Sequence, residues 1–565
     1  MRLALAALAA LLWASVAGAA TVAIDSVNGR DEAGCGQAVP CRTYGYATAG
    51  HRIEPGDTIS LAPGTYRERI VLRATGTLER PVSLSCSGQP GSCVISGEGQ
   101  PAVPWDALLI VRGAFVAVSR LSVERVPAGM YGIALVDSHH VELRGLRLDG
   151  KGSSGGSLIV TSGRNDWVTL ARSSLTNCPA GSTGCTYWRN VSHLAVVGNE
   201  IGPVAGGGNY DCNTIIGTTI GLVDGNTCRD SIDGFDEGMD SAGVKLDRVV
   251  VRYNRVVGKV TGRAFPISGQ YDSTNTLVTG ANAVYKNLAQ IDQGSCLQAY
   301  GGAQDLLLAH NTCVTTGGYG SGIWLETEWD RWVQRVAVRY NLLDSPVASW
   351  TPMVVLGSTT STVRACPADA PCPVVGNVID ARERSVDSPA VSWAPSAGGA
   401  GAVETYSLAD WSSRWNSVAG NSGNRRTDAK VALRSGWQFD PRNLAPVAGS
   451  PLVDAAEPFC RATSAGTGTA VPVTCTADPR VLFPVAADFY RVAQNDCFYG
   501  TRAIDPSGAG CFDVQVEGCG RRRATVASGS SVSLAGPPCS WKAGAIVHVP
   551  YEGAKPDIGA LEVRL

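Results

Sequence analysis

Seven asparagines recur at nearly constant intervals, and each follows a short run of β-branched residues or leucine. They are Asn199, Asn226, Asn254, Asn282, Asn311, Asn341 and Asn377, separated by 27, 28, 28, 29, 30 and 36 residues. Such a period is typical of a solenoid in which each repeat is one turn. Asparagine suits the bend between two strands, because its amide can bond the same amide one turn away. Leu-rich repeats have a shorter period, so the pattern predicts a parallel β-helix.

Sequence motifs at both ends of the chain agree with this fold. The segment "IEPGDTISLAPGTYRERIVL" at 53–72 resembles the opening of secreted right-handed β-helix proteins, a group that includes many polysaccharide lyases. The segments "AGSPLVDAA" at 448–456 and "PDIGALEV" at 556–563 resemble the ending of the same bacterial group. The resemblance implies an all-β, right-handed parallel β-helix. It says little about the reaction, since one fold hosts many functions.

Four segments are expected along the chain. Residues 1–20, "MRLALAALAALLWASVAGAA", have the short apolar core and small-residue end of a secretory signal peptide. Residues 21–54 are expected to form an N-terminal cap, and residues 55–385 a β-helix of roughly ten turns. Residues 386–565 are expected to form a cysteine-rich C-terminal region that packs along the helix or closes its far end. We therefore expect a secreted or periplasmic protein.

Eighteen cysteines are an even number in a chain expected to be exported. Twelve of them form close sequential couples, which favours disulfides across loops. The couples are Cys35 with Cys41, Cys86 with Cys93, Cys178 with Cys185, Cys212 with Cys228, Cys296 with Cys313, and Cys366 with Cys372. The formal net charge of −2 suggests no nucleic-acid surface, and no later apolar run is long enough for a membrane span. We expect a monomer whose partner is a polysaccharide.

The segment "DSIDGFDEGMD" at 230–240 concentrates five carboxylates in eleven residues. In the frame of the repeat it begins a strand that follows the strand "CNTIIGTT" by one turn. Adjacent turns lie about 4.8 Å apart, so oxygen ligands at matching positions of neighbouring turns can bind a single Ca²⁺ ion. The predicted ligands are Asp211, Asn213, Asp230, Asp233 and Asp236. A solvated acidic loop or a purely structural Ca²⁺ site remains an equal alternative.

The segment "SIDGFD", Ser231 to Asp236, resembles the calcium-binding turn of pectate lyases in the ninth polysaccharide-lyase family. Asp233 and Asp236 match the family motif, whereas Ile232 stands where the family has another Asp. The resemblance implies Ca²⁺-assisted β-elimination on a uronate polymer. The family's basic Lys corresponds to Pro266 here. We therefore predict Arg263 as a clamp for the substrate carboxylate and Lys259 as the base.

A second group of residues lies two turns further on, in "GIWLETEWDRW". Trp324 offers a face for stacking on a sugar, and Glu326 offers a carboxylate for acid–base chemistry. The predicted substrate-binding residues are Gln298, Tyr300, Trp324 and Glu328. Alternation along the strands places Phe235, Phe265, Leu297 and Ile323 inside the helix and the site residues outside.

Three functions stay open from the residues. The first is a Ca²⁺-assisted lyase acting on an acidic polysaccharide. The second is a glycoside hydrolase on the same groove that uses Glu326 or Asp236. The third is a non-catalytic glycan-binding or surface protein, for which the same fold and aromatic residues would suffice.

Overall fold

The structure is a computed structural model and is nearly all β. It describes residues 19–151, 156–179, 184–204, 211–238, 246–269, 280–326, 333–344, 354–356, 372–380, 389–393, 404–407, 410, 416, 421–427, 446–447, 449–491, 512–551 and 553–560. In this part of the chain, 36 strands hydrogen-bond into one continuous coil. The expected parallel β-helix is confirmed, and its faces form three parallel sheets.

Sheet A carries the strand before the bend that holds the asparagines in the later turns. Its strands are Thr21–Ile24, Thr58–Leu61, Val82–Cys86, the end of Ala107–Ser119, His139–Arg144, Asn165–Ala171, Val191–Val197, Thr219–Asp224, Asp247–Arg252, Asn282–Tyr285, Gln304–Ala309, Gln334–Arg339 and Val374–Val375. The first strand, from the predicted cap, already belongs to this sheet. The helix Tyr44–Gly50 follows it.

Sheet B follows the bend. Its strands are Gly64–Tyr66, Cys93–Ser96, Leu121–Glu124, Arg147–Asp149, Ser174–Thr176, Glu200–Ile201, Thr227–Arg229, Arg255–Val257, the starts of Leu288–Tyr300 and Thr312–Glu326, Leu342–Asp344, Val378–Asp380 and Arg425–Thr427. The ladder therefore continues past residue 385, because Arg425–Thr427 still pairs in parallel with Val378–Asp380.

Sheet C is the third face and positions the candidate site. Its strands are Ile70–Thr75, the start of Ala107–Ser119, Tyr131–Val136, Ile159–Ser162, Thr186–Arg189, Asp211–Ile216, Asp233–Gly238, Arg263–Ser268, the ends of Leu288–Tyr300 and Thr312–Glu326, Val354–Leu356 and Pro389–Trp393. Glu404–Ser407 adds an antiparallel strand to Pro389–Trp393.

The asparagines form a buried ladder at the bend between sheets A and B, with one correction to the sequence pattern. The ladder runs through Asn199, Asn226, Asn254, Asn287, Asn311, Asn341, Asn377 and Asn424. Asn282 was assigned to it wrongly, since its amide bonds the carbonyls of Leu246 and Gly280 instead. Asn287 takes its place because the intervening loop is longer, so constant spacing pointed to the wrong residue.

The interior of the coil follows the predicted alternation. Phe235, Phe265, Leu297 and Ile323 are fully buried at matching positions of successive sheet C strands. The rings of Phe235 and Phe265 stack with centroids 5.9 Å apart. Stacking of like side chains gives each turn a complementary surface for the next one.

Local disulfides are confirmed for five predicted couples: Cys35–Cys41, Cys86–Cys93, Cys178–Cys185, Cys212–Cys228 and Cys296–Cys313. Two more, Cys460–Cys475 and Cys519–Cys539, lie in the C-terminal region. Cys372 is disulfide-bonded, and its predicted partner Cys366 lies outside the described residues.

The C-terminal region contains a closed β-barrel. Its strands are Cys460–Ala462, Ala470–Cys475, Ser531–Leu534, Gly520–Ser528, Asp513–Val516 and Ile546–His548. Next to the barrel, Gly466–Gly468 pairs with Cys539–Trp541. The helix Pro479–Leu482 is followed by the 3₁₀ turn Ala486–Asp488. Apolar side chains of the barrel and of sheet A form one continuous core. At this contact Tyr285 Oη donates to the carbonyl of Leu482 at 2.9 Å. The barrel thus covers sheet A and leaves sheet C on another face.

The predicted signal peptide lies almost wholly in residues 1–18, outside the described residues. Among the residues that the structure describes, no helix has the length and apolar character needed to cross a membrane.

Candidate functional site

The candidate site lies where three consecutive strands of sheet C begin. Asp211 and Asp233 occupy matching positions of neighbouring strands, and Arg263 begins the next strand. Asp236 lies three residues after Asp233, paired with Thr214. Residues that are distant in sequence are therefore brought together by the register of the coil.

Three carboxylates converge at this point. Oxygen atoms of Asp211, Asp233 and Asp236, which we call the acidic cluster, all lie within 4.8 Å of one another. Asp211 and Asp233 are buried, and Asp236 is partly exposed. Asp211 Oδ2 accepts a hydrogen bond from Thr214 Oγ1 at 2.7 Å. Its other oxygen, Oδ1, is buried and has no hydrogen-bond partner among the described residues, which marks a place for a further ligand.

Arg263 is the cationic partner of the cluster. Its Nε and Nη2 donate to Asp233 Oδ2 at 3.0 and 2.5 Å, and its backbone N–H donates to Asp233 Oδ1. The guanidinium also lies over the ring of Tyr300, 5.1 Å from the centroid. The preceding residue must be glycine, because a Cβ at Gly262 would lie 2.3 Å from Asp233 Oδ1. The sequence Gly262-Arg263 thus permits this close approach.

A positive charge close to all three carboxylates stabilises the acidic cluster, as the pKa values of its residues show. Burial, reinforced by the charges of Asp236 and Asp233, raises the pKa of Asp211 well above its ordinary value. Burial also raises the pKa of Asp236 to about 7, with Arg263 opposing the rise and Asp233 adding to it. Burial would lower the pKa of Arg263, but Tyr300, Asp233 and Asp236 outweigh it and raise that pKa. The guanidinium therefore stays charged and is unsuited to act as a base.

The donor set fits Ca²⁺. Its atoms are hard carboxylate oxygens, the kind that Ca²⁺ prefers. Three carboxylates and one guanidinium leave two negative charges, which one divalent cation balances. The buried Oδ1 of Asp211 needs a partner, and a cation would also relieve the repulsion that raises the pKa of Asp211. Without a cation, protons on Asp211 and Asp236 would take over that role.

Two predicted ligands lie away from the acidic cluster. Asn213 pairs with Phe235 on the core side, where its Oδ1 accepts from Thr186 Oγ1 at 2.7 Å and Trp188 Nε1 at 2.9 Å. This side chain is fully buried among core residues, so we correct its assignment and leave it out of the ligand set. Asp230 is exposed, and its Oδ1 accepts the backbone N–H of Lys259 at 2.8 Å.

Lys259, the predicted base, is exposed in the turn before Arg263–Ser268. The hydrogen bond to Asp230 holds the backbone of Lys259. The rotamer of the Lys259 side chain then determines where its ammonium group lies. Pro266, which stands where the pectate-lyase resemblance would place a Lys, is buried. Lys259 therefore lies in the loop between sheets B and C, and its role as the base stays a prediction.

The remaining predicted residues form the next part of sheet C. Ser295 Oγ donates to Gln298 Oε1 at 2.9 Å, and Gln298 Nε2 donates to Glu326 Oε2 at 2.8 Å. Tyr300 lies beside Glu326, and Trp324 lies beside Gln298. Burial and the charge of Asp236 raise the pKa of Tyr300, which keeps its hydroxyl neutral. Glu328 lies outside the described residues.

Glu326 and Asp236 lie on separate strands of sheet C. Asp236 is three strands away from Trp324, and Glu326 lies two residues further along that strand. At about 4.8 Å per strand the backbones of the two strands are about 14 Å apart, and the side chains span part of this distance. The structure brings together Asp211, Asp233, Asp236, Arg263 and Tyr300. Sequence reasoning missed Thr214, whose position directly opposite Asp236 becomes visible only once the register is known.

No family model matches the chain, and no curated protein matches it. Among solved structures, the GH136 lacto-N-biosidase from Eubacterium ramulus is 13% identical, with a TM-score of 0.45 over 64% of this chain and 68% of that one. The PL6 family alginate lyase AlyGC is 16% identical, with a TM-score of 0.41 over 70% and 53%. The PL6 family polysaccharide lyase Pedsa3628 from Pseudopedobacter saltans is 11% identical, with a TM-score of 0.36 over 69% and 93%.

These three proteins are carbohydrate-active enzymes by name. Their identities and TM-scores are too low to carry an argument about the reaction or substrate of this chain. The likeness of Ser231 to Asp236 to the calcium turn of ninth-family pectate lyases stays a prediction.

Proposed function

We propose that this protein is a secreted enzyme that cleaves an acidic, uronate-containing polysaccharide by Ca²⁺-assisted β-elimination. One observation carries the proposal: the acidic cluster surrounds a buried oxygen of Asp211 that has no hydrogen-bond partner among the described residues, and the cluster lies against a guanidinium on one face of the solenoid. Elimination needs a cationic environment for the uronate carboxylate, and this site combines two sources of it.

The residues have distinct roles. Asp211, Asp233 and Asp236 would hold the ion. A bound Ca²⁺ supplies charge neutralisation of the substrate carboxylate, which makes the adjacent C–H more acidic. Arg263, kept charged and fixed by Asp233, orients the same carboxylate from its other side. Tyr300, with its neutral hydroxyl, borders the site. Lys259 removes the proton beside the carboxylate, which requires its side chain to swing in from the exposed turn. The electron pair of that C–H bond forms the new C=C bond, the C–O bond to the leaving sugar breaks, and the leaving oxygen takes a proton from water.

Hydrolysis is a second candidate, favoured by the pKa of about 7 at Asp236. A carboxyl group with that pKa is suited to act as a general acid near neutral pH. Glu326, three strands away on the same sheet, is the candidate for the second carboxylate. A non-catalytic glycan-binding protein remains the third candidate.

The deciding experiment is an incubation of the mature protein with pectate, alginate, glycosaminoglycans and neutral glycans, with and without a chelator. Both new reducing ends and the ultraviolet absorbance of unsaturated uronates are followed. We expect absorbance on an acidic polymer that disappears with chelator and returns with Ca²⁺. Reducing ends without absorbance would establish hydrolysis, and binding without either product would establish a glycan-binding protein.

A matched pair of variants ties the activity to the cluster. Asp236→Asn keeps the shape of the side chain but removes a ligand charge, so elimination should fall at least about 100-fold. Glu200→Gln is the control, because Glu200 is exposed on sheet B and lies outside the cluster. Equal loss in both variants would contradict the assignment.

A further inference from the structure

A second concave surface lies on sheet C, towards the N-terminal end of the coil. It is a cavity of about 990 Å³ whose chemistry is set by Trp105, Tyr131, Tyr187, Arg112, Arg164 and Arg189; we call it the arginine groove. None of these six residues belongs to the acidic cluster or to its hydrogen-bond partners described above.

The floor of the arginine groove is apolar. Ile110, Ala134 and Val160 face outward at matching positions of consecutive strands, yet each is less than 9% exposed. Tyr131 and Tyr187 pack against them. Trp105 stands at the edge, 77% exposed, with its ring centroid 6.2 Å from that of Tyr131. Flat apolar and aromatic surfaces of this kind bind the C–H faces of sugar rings.

The rim of the groove is positively charged. Arg112, Arg164 and Arg189 are exposed, and the one acidic residue in the lining, Asp106, already pairs with Arg69. Within the part of the chain that the structure describes, Arg112 and Arg164 form no ion pair. Since the whole chain has a formal net charge of −2, this concentration of arginine is a local feature. A guanidinium binds a carboxylate through two parallel hydrogen bonds, which suits recognition of uronates.

The arginine groove is continuous with the candidate site. The outward row Ile110, Ala134, Val160 and Tyr187 continues through Thr214 to Asp236. Tyr187 is two strands from Asp236, about 10 Å, and Ile110 is three strands further, about 14 Å more. One strand spacing is close to the length of a pyranose unit, so a chain lying along the row passes from the groove to the acidic cluster.

We propose that the arginine groove binds several consecutive uronate units of an anionic polysaccharide, away from the bond that is cleaved. The aromatic residues stack on the sugar rings and the arginines pair with the carboxylates. The substrate class rests on the proposed function, whereas the binding itself does not depend on catalysis. The groove therefore sets affinity and the preference for long over short chains.

The test measures binding by calorimetry in chelator, with end-reduced hexamers of galacturonate and of guluronate as probes. Cellohexaose and oligothymidylate serve as the neutral and the phosphate-bearing probes. We expect binding of at least one hexauronate, weakened at least about tenfold in the Arg112→Ala/Arg164→Ala double variant. Trp105→Ala should also weaken it. Arg147→Ala is the control, since Arg147 is exposed on sheet B. Unchanged thermal melting verifies that each variant is folded.

Several outcomes would overturn the proposal. They are equal hexauronate affinity in the double variant and the wild type, tighter binding of cellohexaose than of either hexauronate, or binding of oligothymidylate alone. Hexauronate binding that depends on the arginines, in a protein that cleaves no polymer, would support the groove and refute the proposed function. Where the protein does cleave, the double variant should raise KM for polymer and leave kcat unchanged.

Discussion

A single carboxylate oxygen of Asp233 accepts hydrogen bonds from both Nε and Nη2 of Arg263, one turn further along the coil. Asp233 is 2% exposed and Arg263 is 22% exposed. The pair thus fixes a positive charge at the edge of a buried acidic cluster. Charge pairs in such an environment are costly to break, because the partner left behind remains buried.

Replacing Arg263 should separate ion binding from catalysis. In Arg263→Ala the acidic cluster gains one net negative charge, so Ca²⁺ should bind at least as tightly as in the wild type, while elimination is lost. Calorimetry with Ca²⁺ and the absorbance assay give the two readouts. Arg229→Ala is the control, since Arg229 is half exposed and its pair with Glu200 spans 3.6 Å. Weaker Ca²⁺ binding in Arg263→Ala would mean that the arginine organises the ligands.

Ca²⁺ affinity should rise with pH through neutrality. The raised pKa values of Asp211 and Asp236 mean that protons must leave before the ion binds. Below pH 7 the affinity should fall about tenfold per pH unit for each proton displaced. Titrations between pH 5 and 8 measure this slope. A flat profile in the wild type, or the same profile in Asp236→Asn, would contradict it.

Without Ca²⁺, the raised pKa of Asp236 should make the folded protein less stable as pH rises. The folded pKa of Asp236, about 7, lies above its ordinary value of 3.8, so the folded state holds the proton more tightly. Stability in chelator should therefore decrease as pH rises from about 4 to 7, and added Ca²⁺ should restore it at the upper end. Thermal melting with chelator and with Ca²⁺ measures the difference, and Asp236→Asn should reduce it.

Two histidines at the contact between coil and barrel should make the protein sensitive to acid. Their ring centroids are 5.2 Å apart; burial, with the charge of Lys286 added, lowers the pKa of His548 to about 3 and that of His310 well below its ordinary value. Their contribution to stability is complete above pH 6.5 and decreases at lower pH; that of His548 is lost as pH falls towards 3.

The variant His548→Gln should flatten this acid dependence by up to about 1.4 kcal/mol per pH unit. Unfolding by denaturant at several pH values measures the slope. His139→Gln is the control, because His139 is exposed. An unchanged slope in His548→Gln would show that this histidine does not titrate on unfolding.

The asparagine ladder should be a major source of stability. Asn226 is fully buried; its Nδ2 donates to the carbonyl of Val196 and to Asn254 Oδ1, and its Oδ1 accepts from Asn199. Asn226→Ala leaves several buried groups without partners, so the free energy of unfolding should fall by about 3 kcal/mol. Asn28→Ala, at an exposed position, should change it by less than about 0.5 kcal/mol. Similar values for the two variants would contradict a structural role for the ladder.

The repeat predicted the fold well because one bend and one hydrogen-bonding residue recur in successive turns from Asn199 onwards. Phe235 and Phe265 were correctly placed inside by alternation alone. Asn213 was misplaced, since its pairing with Phe235 depends on register, and register depends on the length of the preceding loop. Asn287 was missed for the same reason. Sequence patterns describe a strand but not which residue of the next turn lies opposite it.

The arginine groove could not be predicted from the sequence. Arg112, Arg164 and Arg189 share no motif, and they meet only because their strands stack. The acidic cluster was easier to predict from the sequence, because Asp233 and Asp236 are close in sequence and Asp211 lies one turn earlier.

The spacing of the coil has a further consequence. Tyr187 and Asp236 lie on the same outward row, two strands apart. The number of turns between them therefore sets the distance between the arginine groove and the acidic cluster. Inserting or deleting a whole turn between them would leave both surfaces intact and shift one against the other by a single sugar unit. Under the proposed function, the number of turns between the two surfaces would set the size of the fragments released, and duplication of one repeat of about 27 residues would change that size.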